Sequence, residues 1–142
     1  MELRQLLDWH ASDSGVWLLK GLKLQPGPAS YLLHDGRKLS TIRARLRLNR
    51  CSLNASLAER RITGDPNCDV CQVPETVEHC LLVCPRYAAP RQQCTSALNL
   101  LGLQPNLAVL LGADESCPTN SLRPTLIATG IFLLAVDALR RL

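Results

Sequence analysis

Four potential metal ligands lie within a stretch of seventeen residues in this 142-residue chain. Cys68 and Cys71 form a C-x2-C pair, and His79 and Cys84 complete the pattern C-x2-C-x7-H-x4-C. Two thiolates from one tight turn can reach the same ion, and thiolate and imidazole ligands favour tetrahedral zinc over calcium or magnesium. Because four protein ligands leave no coordination position open for water, the pattern predicts a structural Zn²⁺ site.

Cys80 offers an alternative fourth ligand. It follows His79 and stands four residues before Cys84, so on a helix it could face the metal and give an all-cysteine site. We prefer His79, because Cys80 then lies beside the apolar residues 81–83 as a small buried side chain. A redox role for the C-x2-C pair is less favoured, since no βαβ pattern surrounds it.

The other cysteines and the chain's composition point to a reducing compartment. Seven cysteines leave one unpaired in any scheme in which all form disulfides, and we interpret Cys51, Cys94 and Cys117 as plain thiols. The N-terminus does not resemble a secretory signal peptide, and the apolar segment 126–136 is shorter than the ~20 residues of a membrane span. We therefore expect an intracellular protein, in the nucleus or cytoplasm, that contacts no membrane.

Helical periodicity dominates the elements that must position these ligands. Apolar residues from Leu39 to Leu57 recur at spacings of three, four and seven, and Ser40 is the expected N-cap. A short helix is expected to begin near Pro74. We expect longer helices over residues 40–49, 53–61, 90–101 and 124–141. The sequence thus predicts a mainly α fold, a small helical domain built around one zinc site.

Loops suggest three parts in the chain. Residues 1–35 form an N-terminal helical segment with a Pro/Gly linker, and residues 36–101 hold the arginine-rich helices and the zinc-binding module. Residues 102–142 supply a loop and a C-terminal helix of the same domain. We expect that last helix to pack on the leucines of the first arginine-rich helix.

Positive charge is concentrated between Gly36 and Gly64, where eight basic residues stand against one acidic residue. By contrast, residues 65–85 hold four acidic residues and no lysine or arginine. Such a block suggests a polyanionic partner, and arginine contacts to phosphate are salt-dependent and weakly sequence-specific. Arg43, Arg47 and Arg50 recur on one face of the expected helix, away from its leucines. The predicted nucleic-acid contacts are Arg43, Arg47 and Arg50, flanked by Arg45, Arg60 and Arg61.

The segment RARLRLNRCSLNASLAERRI, followed by CDVCQVPETVEHCLLVCPRY, resembles the zinc-binding region at the C-terminal end of non-LTR retrotransposon reverse transcriptases. In that family an arginine- and leucine-rich helical segment precedes a C-x2-C, then an E-T-x-x-H element and a C-P pair. The matching residues here are Cys68 and Cys71, then Glu75, Thr76 and His79, then Cys84 and Pro85. The resemblance covers about residues 39–101. Cys80 departs from it, because the family more often has an apolar or aromatic residue there.

The resemblance implies a module near the end of a longer polyprotein, after the polymerase and often a ribonuclease H domain. Its implied partners are RNA or DNA and those two domains. This chain contains no YxDD-like motif and no convincing ribonuclease H carboxylate set, so we expect neither enzymatic activity nor a small-molecule substrate. Two alternatives remain open. One is a zinc-stabilised protein-interaction or structural domain, and the other is a degenerate element fragment.

Overall fold

The computed structural model describes residues 35–112 and 119–142, and within them the fold is helical without a named strand. Three short helical turns supplement the α-helices. They are a π-helical turn at His79–Val83 and 3₁₀ turns at Pro85–Tyr87 and Thr119–Ser121. The α-helices are α1 (Arg37–Arg47), α2 (Asn54–Glu59), α3 (Ala88–Leu100), α4 (Leu107–Leu110) and α5 (Leu122–Leu139). The predicted mainly α fold is confirmed, while the predicted helical segment and linker within residues 1–34 lie outside the described residues.

The C-terminal helix α5 is the centre of the packing. It packs most extensively against α3 and also contacts α4 and α1. Phe132, Leu133 and Val136 are almost fully buried on its inner face. Its approach to α1 is close at Gly130, where an added Cβ would lie 2.6 Å from Cδ2 of Leu39. The C-terminal helix therefore packs on α1, as the sequence predicts, although α3 is its larger partner.

By length and composition alone, α5 is apolar enough to cross a membrane. One face of α5 is buried against α3 and α1, whereas Ile127, Ile131 and Leu139 on the same helix are exposed. Core helices of soluble proteins pass the same test, and a single helix that passes it is weak evidence. The length of α5 is thus a weak indication of a membrane span.

Three helices end in the same backbone motif, which explains how the chain reverses between them. After α1, Asn49 adopts a left-handed φ of 55°, its N–H donates to the carbonyl of Leu46, and that of Arg50 donates to the carbonyl of Arg45. This is the hydrogen-bond pattern of a Schellman motif. Arg61 after α2 and Gly102 after α3 take the same left-handed position. The predicted break between the first two helices is therefore a helix C-cap.

The start of α1 differs from the prediction. The helix begins at Arg37 with Gly36 as its N-cap, and Ser40 lies inside it, where its N–H donates to the carbonyl of Gly36 at 2.9 Å. The prediction that Ser40 is the N-cap is wrong. Helix α4 was not predicted; it is a single turn in which the side chain of Asn106 caps the N–H of Val109 at 3.0 Å.

The buried face of α1 contains two arginines beside its apolar residues. Arg43 is 0% exposed and Arg47 is 3% exposed. The prediction that these two arginines face away from the leucines and contact nucleic acid is wrong. Both guanidinium groups are directed into the domain, where they donate hydrogen bonds to backbone carbonyls at distances of 2.7 to 2.9 Å.

The physical reason for this burial is the short helix α4. A helix leaves its last carbonyls without intrahelical partners, and a four-residue helix has little else. Arg43 Nη1 donates to the carbonyl of Leu110 and Arg47 Nη1 to that of Leu111, so the two arginines satisfy the end of α4. Arg43 also forms an ion pair with Asp35 at 2.6 Å, in which both side chains are buried.

Candidate metal centre and basic surface

The first two predicted ligands lie on a tight turn that a single antiparallel bridge closes. Asn67 pairs with Pro74 across the turn, and the N–H of Cys68 donates to the carbonyl of Val73 at 2.7 Å. The chain reverses at Gln72, whose φ is 58° and whose N–H returns to the carbonyl of Cys68 at 2.9 Å. We call residues 66–75 the knuckle. It brings the thiols of Cys68 and Cys71 to the same side.

The other two ligands are brought together by the π-helical turn. Thr76 Oγ1 accepts the N–H of His79 at 3.0 Å, which caps the start of this segment. The N–H of Cys84 then donates to the carbonyl of His79 at 2.7 Å, a bond that spans five residues. In an α-helix, residues five apart point about 140° away from each other, because each residue turns by 100°. The wider π turn lets both side chains face the knuckle.

The four predicted ligands form one compact group, which we call the CCHC cluster (Cys68, Cys71, His79 and Cys84). Their ligand atoms all lie within 4.8 Å of one another. Sγ of Cys84 is 3.8 Å from Sγ of Cys68 and 3.9 Å from Sγ of Cys71, far longer than the ~2.05 Å of a disulfide. Two sulfurs that each lie about 2.3 Å from a tetrahedral zinc would be about 3.8 Å apart. The group can hold a metal ion.

The environment of His79 independently indicates that its side chain binds a metal ion. Its side chain is buried, and Nε2 has no hydrogen-bond partner among the described residues. Leaving a buried nitrogen unsatisfied costs about 1–3 kcal/mol, so native proteins rarely do it without a compensating contact. A metal ion bound at Nε2 would satisfy that atom. The chemistry of the CCHC cluster therefore fits a metal ion.

The thiols of the CCHC cluster shift one another's pKa values. Burial alone would raise the pKa of Cys68, but hydrogen bonds from the backbone of Cys71 and Val70 and from the neighbouring thiols bring this pKa below its ordinary value. Burial, followed by the hydrogen bond with Cys84 and the nearby charge of Cys84 and Cys68, raises the pKa of Cys71 to about 11. A bound cation would reverse the second effect, because it stabilises thiolates.

Cys80 does not belong to the CCHC cluster. It is fully buried in the apolar core, and burial, together with the negative charge of Glu75, raises the pKa of its thiol to about 12. The two core cysteines Cys51 and Cys94 are also buried and form no disulfide, and Cys117 lies outside the described residues. His79 is therefore the residue that the structure brings to the three cysteines.

Two further residues hold the cluster in place, and neither role was predicted from the sequence. The guanidinium group of Arg91 on α3 donates to the carbonyls of Cys80, Leu81 and Cys84, at distances of 2.6 to 3.2 Å. It thereby ties the π-helical turn to α3. The second is the buried carboxylate of Glu75, at the end of the knuckle.

Glu75 links the knuckle to two helices. Its Oε1 accepts the N–H of Asn54 at 2.7 Å, at the N-terminus of α2, where the helix dipole favours negative charge. The same oxygen lies 3.0 Å from Nη2 of Arg140, just after α5. Glu75 is 3% exposed, so one of the four acidic residues of the predicted acidic stretch is structural.

The other predicted nucleic-acid contacts have different environments. Arg45, Arg50 and Arg61 are exposed. Arg60 is exposed overall, yet its guanidinium group donates to the carbonyls of Cys51 and Ser56. The six predicted arginines therefore do not form one continuous binding face.

Comparison of the chain with protein-family models, with curated proteins and with solved structures finds no match.

Proposed function

We propose that this chain is a zinc-stabilised helical module without catalytic activity, which binds the backbone of RNA or DNA. The zinc part rests on the CCHC cluster, in which three thiols that form no disulfide and a buried imidazole nitrogen without a hydrogen-bond partner lie close together. Four ligands fill a tetrahedral shell, so the metal stabilises the fold and activates no water.

Zinc would act on the whole domain by joining the knuckle to the π-helical turn and the residue that follows it, which supply two ligands each. Glu75 connects the knuckle to α2 and Arg140, and Arg91 connects the π-helical turn to α3. Metal binding would thus be linked to the folding of the surrounding helices, as in other small zinc modules.

Nucleic-acid binding is supported by the formal net charge of +4 and by the exposed arginines of residues 36–64. It also agrees with the resemblance to the zinc-binding region of non-LTR retrotransposon reverse transcriptases. In that setting the chain would be part of a polyprotein in the nucleus or cytoplasm, beside polymerase and ribonuclease H domains.

One observation favours a second candidate, a structural or protein-interaction module. Arg43 and Arg47 are the centre of the basic face predicted from the sequence, and their guanidinium groups donate hydrogen bonds to carbonyls at the end of α4. The zinc would then stabilise a domain that contacts only other proteins, whether or not the chain is a degenerate element fragment.

Oligonucleotide binding by the zinc-loaded protein separates the two candidates. We expect fluorescence anisotropy to show binding of single-stranded RNA and DNA that weakens steeply as salt increases. Binding should also be lost when a chelator removes the metal. A zinc-loaded, folded protein that binds neither oligonucleotide at low salt would favour the structural module.

A further inference from the structure

An open groove of about 440 Å³ lies between α1 and the C-terminal end of α5. Four of its lining side chains are basic, and one is acidic. We call it the basic groove; its basic residues are Arg37, Lys38, Arg45 and Arg141. Lys38 and Arg45 are on α1, whereas Arg141 follows α5 and is distant in sequence, so only the folded chain brings the four together.

The arginines of the basic groove do not take part in the contacts that hold the described residues together. Within the described residues, the guanidinium groups of Arg37, Arg45 and Arg141 form no hydrogen bond or ion pair, and all three are exposed. Those of Arg91 and Arg140 are occupied by backbone carbonyls. The first turn of α1 also carries basic rather than acidic residues, although the helix dipole disfavours positive charge there.

The spacing of these residues suits a chain of phosphates. Arg37, Thr41 and Arg45 follow one another at intervals of four along one face of α1, which places the two arginines about 12 Å apart along the helix axis. One strand of a duplex carries a phosphate every 3.4 Å of axial length, so this distance corresponds to three or four nucleotides. Arginine, lysine and threonine are all common phosphate-contacting residues.

The groove lacks what a protein partner would need. Protein interfaces have an apolar centre with a polar rim, but the one large apolar side chain that lines this groove, Ile42, is only 4% exposed. It also has no aromatic side chain on which bases could stack. We propose that the basic groove binds the sugar-phosphate backbone of nucleic acid without reading its sequence. This inference rests on the proposed function. Of the six predicted contacts it keeps only Arg45, because the other five arginines do not line the groove.

Asp137 adjusts the charge of the groove. Its Oδ2 lies 3.5 Å from Nζ of Lys38, while Oδ1 accepts the N–H of Leu142 at 2.9 Å. An asparagine would keep an acceptor for Leu142 and remove the negative charge beside Lys38. Asp137→Asn should therefore bind nucleic acid more tightly than the wild type.

The test compares two double variants of the zinc-loaded protein that lose the same charge. Arg37→Gln/Arg45→Gln removes two groove contacts, and Arg50→Gln/Arg61→Gln removes two exposed arginines that do not line the groove. On a duplex each phosphate contact contributes about −0.9 to the slope of log K against log salt, or about eightfold in affinity at 0.1 M salt. We expect the groove variant to lose about 60-fold in affinity for a duplex oligonucleotide and the control variant less than about threefold.

The other possible results separate a failure of the groove from a failure of nucleic-acid binding as a whole. Equal losses in the two double variants, or a loss only in Arg50→Gln/Arg61→Gln, would overturn the groove and leave nucleic-acid binding intact. A wild type that binds no oligonucleotide would overturn both proposals. Polyglutamate is the probe for an acidic protein partner, and binding of polyglutamate but not of nucleic acid, lost in Arg37→Gln/Arg45→Gln, would assign the groove to such a partner.

Discussion

Replacement of Arg43 by glutamine tests whether this arginine is a structural residue or a binding residue. The substitution removes the guanidinium group that pairs with Asp35 at 2.6 Å and donates to the carbonyls of Leu110 and Leu126 at 2.7 and 2.9 Å. Asp35 would then be left as a buried carboxylate without its ion-pair partner, since its side chain is only 4% exposed.

The expected cost follows from this geometry. Removal of one partner of a buried ion pair costs about 3–5 kcal/mol, because the other charge stays buried and uncompensated. The carbonyl of Leu110, at the end of α4, loses its donor as well, and an unsatisfied buried carbonyl costs about 1–3 kcal/mol. These contributions overlap, so we expect a loss of about 4 kcal/mol in the free energy of unfolding. That is a large share of the ~5–15 kcal/mol of a typical domain.

The assay is urea unfolding of zinc-saturated protein, followed by far-ultraviolet circular dichroism. Arg45→Gln, an exposed neighbour on the same helix, is the matched control and should change the free energy of unfolding by less than about 0.5 kcal/mol. Adding Asp35→Asn to Arg43→Gln removes the stranded charge and should recover part of the loss. If Arg43→Gln is as stable as Arg45→Gln, the buried role of Arg43 is refuted.

Two further predictions concern the neighbourhood of the metal. Glu75→Gln should lower the free energy of unfolding by about 2 kcal/mol, because it weakens the hydrogen bonds from Asn54 and Arg140 to a buried carboxylate. Urea unfolding measures this change. An unchanged unfolding midpoint would contradict the link that Glu75 makes between the knuckle and the helices. Zinc affinity should increase with pH around neutrality. The pKa of Cys71 is raised to about 11, so this thiol is protonated near neutrality and zinc must displace its proton. Competition with a chelator at about pH 6.5 and 7.5 should show at least about a tenfold rise, and an affinity that does not vary with pH would contradict thiolate ligation.

The sequence predicts the local features of this fold well. The four ligands are close in the chain, and the C-x2-C spacing alone largely determines how Cys68 and Cys71 meet on one turn. The helices from Leu39 onward follow from apolar periodicity, with boundaries displaced by one to three residues. What the spacing did not predict is the π-helical turn, the element that allows His79 and Cys84 to share one side.

The burial of Arg43 and Arg47 could not be predicted from periodicity. Charged side chains are almost never fully buried unless they are paired, so a helical pattern assigns them to the solvent face. Their partners are an aspartate eight residues away and carbonyls 64 to 83 residues away, at the end of α4 and in α5. Because α4 is a single turn, its unsatisfied carbonyls leave no mark in the sequence pattern.

The central claim is that the CCHC cluster holds zinc through three sulfurs and one nitrogen, and X-ray absorption at the zinc edge of the purified protein tests it most directly. We expect about one zinc per chain, with three Zn–S distances of about 2.3 Å and one Zn–N distance of about 2.0–2.1 Å. The nitrogen contribution should be lost in His79→Ala and unchanged in Cys80→Ala. Four sulfur ligands in the wild type, or a protein that holds no zinc, would contradict the account.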